Sequence, residues 1–93
     1  MTYSVEATPH ARRELERLSP QMRDRVLSEF VALGADPRPV GAIALRGTAA
    51  GSYRLRVGDY RIGYVVDDKA RTVSVWEIGD RKRFYQRARR RRR

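Results

Sequence analysis

The chain contains no cysteine, which removes disulfides, thiolate nucleophiles and cysteine-ligated zinc or iron–sulfur centres. It has one histidine, His10, so phosphodiester chemistry run by a histidine pair is excluded. No apolar run approaches the ~18 residues that cross a bilayer, and no basic-then-apolar leader opens the chain. The expectation is a cytoplasmic protein with no membrane partner. No glycine-rich phosphate loop and no Ser/His/Asp arrangement is present, and neither a cofactor nor a metal is expected. Acidic residues are scarce too. Eleven Asp and Glu stand against 21 Lys and Arg, a net charge of +10 over 93 residues. That length allows one thin-cored domain, and that charge points to a polyanionic partner.

The charge is unevenly spread. Residues 87–93 read RARRRRR, six arginines without an acid, so the preceding 86 residues carry a net charge of only +4. This divides the chain into a domain over 1–86 and an arginine-rich tail over 87–93. The tail is either a grip for a phosphate backbone or a solvated end. Its composition does not separate the two.

Tyr3-Ser4-Val5 favours a strand. Thr8-Pro9 and Ser19-Pro20 each read as a helix N-cap followed by proline in the first turn. Ala11, Leu15 and Leu18 mark the apolar stripe of the first helix. Met22, Val26 and Phe30, reinforced by Leu27, Val31 and Leu33, mark the second, with Gly34 as its stop. Asp36-Pro37-Arg38-Pro39 ends helicity, and residues 40–52 read as an irregular connection. The period then changes to two. Tyr53–Val57 and Tyr60–Val66 flank Gly58-Asp59, a two-residue hairpin turn, and Asp67-Asp68 caps the next turn. Thr72–Ile78 forms a further strand whose apolar phase slips between Val75 and Trp76, the mark of a bulge or of burial on both faces. Residues 79–86 leave the sheet. The expected class is α+β: an N-terminal strand, a helical hairpin, then an antiparallel three-strand meander.

The two-residue turn fixes the register. Val57 faces Tyr60, Arg56 faces Arg61, Leu55 faces Ile62, Arg54 faces Gly63 and Tyr53 faces Tyr64. Tyr53, Leu55, Val57, Tyr60, Ile62 and Tyr64 then share one face, a wall for the helices. Arg54, Arg56 and Arg61 share the other. Like charges directly opposed destabilise a sheet, so this face is either solvated, with its arginines splayed or paired with Glu77 or Asp80, or it is an anion site. A phosphate turns that repulsion into attraction and accepts bidentate bonds from guanidinium groups. His10 reads as a surface residue, and Trp76 as a core or partner-facing residue rather than a stacking platform.

These residues resemble a known family. Ala44–Gly47 (ALRG), Tyr53–Tyr64 (YRLRVGDYRIGY) and Ile78–Tyr85 (IGDRKRFY) are similar to motifs of the RelE/ParE superfamily, the toxins of type II toxin–antitoxin pairs. The third motif looks like its RelE branch. The resemblance covers residues 3 to about 86 and implies a metal-independent endoribonuclease that cleaves messenger RNA in the ribosomal A site. By that resemblance Arg61 stabilises the transition state, Arg81 assists protonation of the leaving oxygen, and Tyr85 is the base or orients one. Arg54, Arg56 and Arg83 hold RNA phosphates. The implied partners are a RelB-like antitoxin, messenger RNA with the ribosome, and operator DNA reached through the antitoxin complex. Two alternatives remain open at this level: a ParE-like inhibitor of DNA gyrase, and a catalytically weakened basic nucleic-acid-binding module. Asp80 stands where many relatives carry His or Lys, and Ser52 where some carry a basic residue.

Overall fold

A computed structural model describes residues 2–47 and 50–80. Strand β1 (Ser4–Ala7) leads into helix α1 (Pro9–Glu16) and helix α2 (Pro20–Ala35). Strands β2 (Ile43–Ala44), β3 (Ser52–Val57), β4 (Tyr60–Asp67) and β5 (Thr72–Asp80) follow. They form one five-stranded mixed sheet in the order β1-β5-β4-β3-β2. Only β1 and β5 run parallel.

Each helix starts where the cap chemistry places it. Thr8 Oγ1 accepts from the Ala11 amide at 3.2 Å and Ser19 Oγ from the Met22 amide at 3.2 Å, each with proline in the first turn. Arg23 closes the joint between the helices by donating to the carbonyls of Leu15, Glu16 and Leu18, at and just past the end of α1. Ala11, Leu18, Val26 and Leu33 pack against Leu55, Ile62, Tyr64, Val73, Val75 and Ile78. Met22 and Phe30 flank this core, whereas Leu27 and Val31 point outward and are 40% and 78% exposed. The working stripe of α2 is therefore 22, 26, 30 and 33.

Gly34 is not the stop expected of it. The helix runs one residue further and Asp36 caps it. Tyr3 donates its amide to the Gly34 carbonyl at 2.8 Å, and a Cβ at Gly34 would lie 3.2 Å from the Tyr3 carbonyl oxygen. The glycine is there to let β1 approach α2.

The hairpin register is the expected one at every position from Tyr53 opposite Tyr64 to Val57 opposite Tyr60. Gly58 has φ +60° and Asp59 has no positive φ, the type II′ pattern with glycine at the first turn position. A bulge falls where the apolar phase slips: Gly63 pairs with Glu77 and Tyr64 with Val75, leaving Trp76 as the extra residue. Two expectations are corrected. The connection over 40–52 contains β2, which adds a fifth strand beside β3. Gly79 and Asp80 stay in the sheet, paired with Arg61 and Tyr60. A short edge strand and a strand end carry too few residues to show a period.

A polar network ties down the loops on the helix side. Tyr64 is fully buried and donates its hydroxyl to the Pro37 carbonyl at 2.8 Å. Burial, followed by the neighbouring Tyr53, pushes its phenol up to about 12. Arg38 makes a bidentate pair with Asp68, at 3.2 and 2.7 Å, and donates to the Tyr53 hydroxyl. The Arg38 hydrogen bond, then that of the Tyr3 hydroxyl, holds the Asp68 carboxyl below its ordinary range. Of the two turn acids only Asp67 caps, accepting from the Ala70 amide.

Candidate functional site

The arginine face of the hairpin follows from the alternation of side chains along β3 and β4. Three cross-strand rows define it: Ser52 with Val65, Arg54 with Gly63, and Arg56 with Arg61. Strand β5 extends all three rows, placing Ser74 beside Val65, Glu77 beside Gly63 and Gly79 beside Arg61. Gly63 next to Arg54 and Gly79 next to Arg61 put no side chain beside these arginines in their rows.

The opposed Arg56 and Arg61 resolve their repulsion by going to different environments. Arg56 is exposed and turns to the hairpin end, where its Nε donates to the Gly58 carbonyl at 3.0 Å. Arg61 stays inside and is only 7% exposed. Its Nε is buried, and among the described residues it has no hydrogen-bond partner. Among those residues no carboxylate pairs with it either. An unmet buried donor costs on the order of 1–3 kcal/mol, more when charged. A guanidinium kept in that state is a standing positive charge held largely out of water. Arg54 lies half-buried between the two environments.

The other residues singled out from sequence fall as follows. Arg81, Arg83 and Tyr85 lie outside the described residues, as does the tail. Trp76 is 3% exposed and packs with Leu45 and Val65, so it supports the sheet rather than offering a ring to a base. His10 is not a plain surface residue. Its Nε2 sits 2.8 Å from Glu77 Oε1 and 3.3 Å from Glu14 Oε1. The His10-to-Glu14 spacing, one turn apart on a helix, was the only local signal of that cluster. Glu77 is 67 residues away from His10 and leaves no trace in the neighbouring sequence. The described residues therefore bring Arg54, Arg56 and Arg61 together, and add an acid–imidazole cluster at the far end of the Gly63 row.

Known proteins are similar to this chain in sequence and fold. The family model for the ParE toxin of type II toxin–antitoxin systems matches residues 5–85. Toxin RelG of Mycobacterium tuberculosis is 36% identical over 88 residues, which is 94% of this chain and all of that protein. A chain from the RelBE2 toxin–antitoxin complex of the same organism superposes with a TM-score of 0.77 at 32% identity, over 87% of this chain and 100% of that one. A chain from the archaeal RelE–RelB complex of Pyrococcus horikoshii gives 0.78 at 29%, over 89% and 99%. A mutant of Escherichia coli toxin RelE in the free state gives 0.79 at 25%, over 95% of each chain. Matched by the family model over residues 5–85 and by Toxin RelG over 94% of its length, the chain belongs to the RelE/ParE superfamily as a RelE-like toxin of a type II toxin–antitoxin pair.

Proposed function

We propose that this toxin is a metal-independent endoribonuclease that cleaves messenger RNA, with the ribosomal A site as its place of action. The observation that carries the reading is Arg61, a guanidinium 7% exposed, unpaired among the described residues and opposed by a second arginine across the hairpin. An RNA phosphate is the anion that such an arrangement suits. The RelE-type motif at Ile78–Tyr85 supplies the remaining roles.

The chemistry needs three things at the scissile phosphate. A base removes the proton of the 2′-hydroxyl, and its oxygen attacks phosphorus. The P–O5′ bond breaks, and the departing oxygen takes up a proton. The products are a 2′,3′-cyclic phosphate and a 5′-hydroxyl. Arg61 stabilises the charge that builds on the pentacoordinate phosphorus, while Arg54, Arg56 and Arg83 hold flanking phosphates. Arg81 assists protonation of the leaving oxygen. Tyr85 acts as the base or orients it, and the surrounding arginines favour its phenolate, because an unperturbed phenol near pKa ~10 is a poor base at neutral pH.

The partner proposed for this chain is a cognate antitoxin, since three of its structural neighbours come from RelB-type toxin–antitoxin complexes. That antitoxin would carry the pair to operator DNA. The matched family model bears the ParE description, which favours a second reading on the same fold, a poison of DNA gyrase.

One experiment separates the two. The purified toxin is added to a translation extract and 5′-hydroxyl ends are mapped on the message, beside Arg61→Ala and Tyr85→Phe. Cuts in register with codons, lost in the first variant and reduced in the second, support the ribonuclease. An intact message together with inhibited gyrase supercoiling would transfer the assignment to the second reading.

A further inference from the structure

A second constellation borders the arginine face at the β5 end of the Gly63 row. His10 and Glu14 project from one side of α1, four residues apart, toward Glu77 on β5. The His10 imidazole nitrogen and the two carboxylate oxygens all lie within 4.8 Å of one another. Both acids are deeply buried, Glu14 at 6% and Glu77 at 1% exposed, while the His10 side chain is 31% exposed and opens the cluster to solvent.

Hydrogen bonding alone serves this cluster badly. Nε2 of an imidazole carries at most one proton, and at 2.8 Å it is engaged with Glu77. Glu14 is then left with a 3.3 Å ionic contact to the same nitrogen and, among the described residues, no hydrogen bond. A buried carboxylate without a donor is costly. One proton cannot bridge three ligand atoms, but one cation can.

The geometry points to a divalent transition-metal site, built from His10 Nε2, Glu14 and Glu77, with water from the exposed side as the fourth ligand. Zinc bonds imidazole nitrogen and carboxylate oxygen at about 2.0–2.2 Å, so tetrahedral ligands stand roughly 3.3 Å apart. The observed 3.3 Å already fits, and the 2.8 Å pair must open by about half an ångström. One nitrogen and two oxygens suit zinc, cobalt or nickel better than the all-oxygen shells of calcium and magnesium. The two ligands one helical turn apart use the spacing by which helices commonly present metal ligands. The ion would be structural: it clamps the first turn of α1 to β5, and it takes no part in the phosphate chemistry. The inference stands whether the toxin cuts RNA or inhibits gyrase.

The test uses the full chain without an affinity tag, stripped by chelator and titrated with Zn²⁺ and with Co²⁺. The expected results are one ion bound per chain, the visible absorption of tetrahedral Co²⁺, and a Zn²⁺-dependent rise in Tm on the order of 10 °C at saturation. His10→Gln and Glu14→Gln should each lose the Co²⁺ band and the Tm rise, while Glu14→His, which keeps a ligand in place, should retain both. Circular dichroism identifies any variant that fails to fold, and the remaining ones then decide. No stoichiometric binding by the wild-type chain, or an unchanged Co²⁺ band in a folded Gln variant, would overturn the assignment.

Discussion

The two faces of the β3–β4 hairpin share one backbone and one register, yet they answer to different demands. On the helix side Leu55, Val57, Ile62 and Tyr64 are buried among apolar partners, and the buried Tyr64 hydroxyl has its acceptor. On the other side Arg56 opposes Arg61, and Arg61 is buried with a donor unmet among the described residues. The first face is what a folding argument asks for. The second weakens the fold, and a binding argument is needed to explain it. Alternation with a period of two allows both, since neighbouring residues in one strand never share a face.

Substitutions on the two faces should therefore separate activity from stability. The largest effect is expected at Arg61→Ala, where losing the charge at the reacting phosphate should lower RNA cleavage by about 10²- to 10³-fold. The same variant should keep or raise its urea midpoint, because the unmet donor is gone. A marked loss of stability in Arg61→Ala would erase the contrast between the faces. Ile62→Ala, one residue along and fully buried, should do the reverse: a loss of roughly 2–5 kcal/mol in urea unfolding with cleavage per folded molecule retained.

Tyr64→Phe sharpens the apolar side further through its pH dependence. The phenol is held at about 12 in the folded state, above its unfolded value near ~10. Its share of stability is thus complete below pH ~10 and is lost as pH rises from there through the folded pKa. The Phe variant should lack this alkaline decline in unfolding measurements between pH 9 and pH 12 (roughly). The smallest effect is expected from Asp68→Asn. That carboxyl is held below its ordinary range by Arg38 and Tyr3, so its contribution is present above the ordinary carboxylate pKa and fades as pH falls through the folded one. Because the pair is exposed, only a slight flattening of the acid limb should appear in a pH-stability curve.

Legibility in the sequence followed the range of the forces involved. Thr8, Ser19 and the Gly58-Asp59 turn act within a few residues, and both helix starts and the whole hairpin register could be derived from them. From that register came the opposition of Arg56 and Arg61. The bulge at Trp76 was visible because it shifts the apolar phase within one strand. What stayed hidden was set by distant partners. Nothing near Ser4–Ala7 announces a parallel pairing with Thr72–Val75. Gly34 looked like a helix stop until Tyr3 was seen to lie against it. His10 looked like a surface residue because Glu77, the buried acid that holds its imidazole, is 67 residues away in the chain. The proposed roles of Arg81 and Tyr85 rest on motif alone.

That parallel pairing also has a consequence in time. Strand β5 sits between β1 and β4, yet among the described residues it is the last strand to be made. A ribosome adding about 5–20 residues per second needs on the order of seconds to go from Ala7 to Thr72. Through that interval β1 lacks its neighbour, and β4 lacks one too once it has been made, so both sheet edges wait open for β5. Such long-range closure is also slow in itself. A sheet built this way closes only once Thr72–Asp80 has left the ribosome, so the fold is completed at the end of synthesis rather than built up strand by strand along the chain.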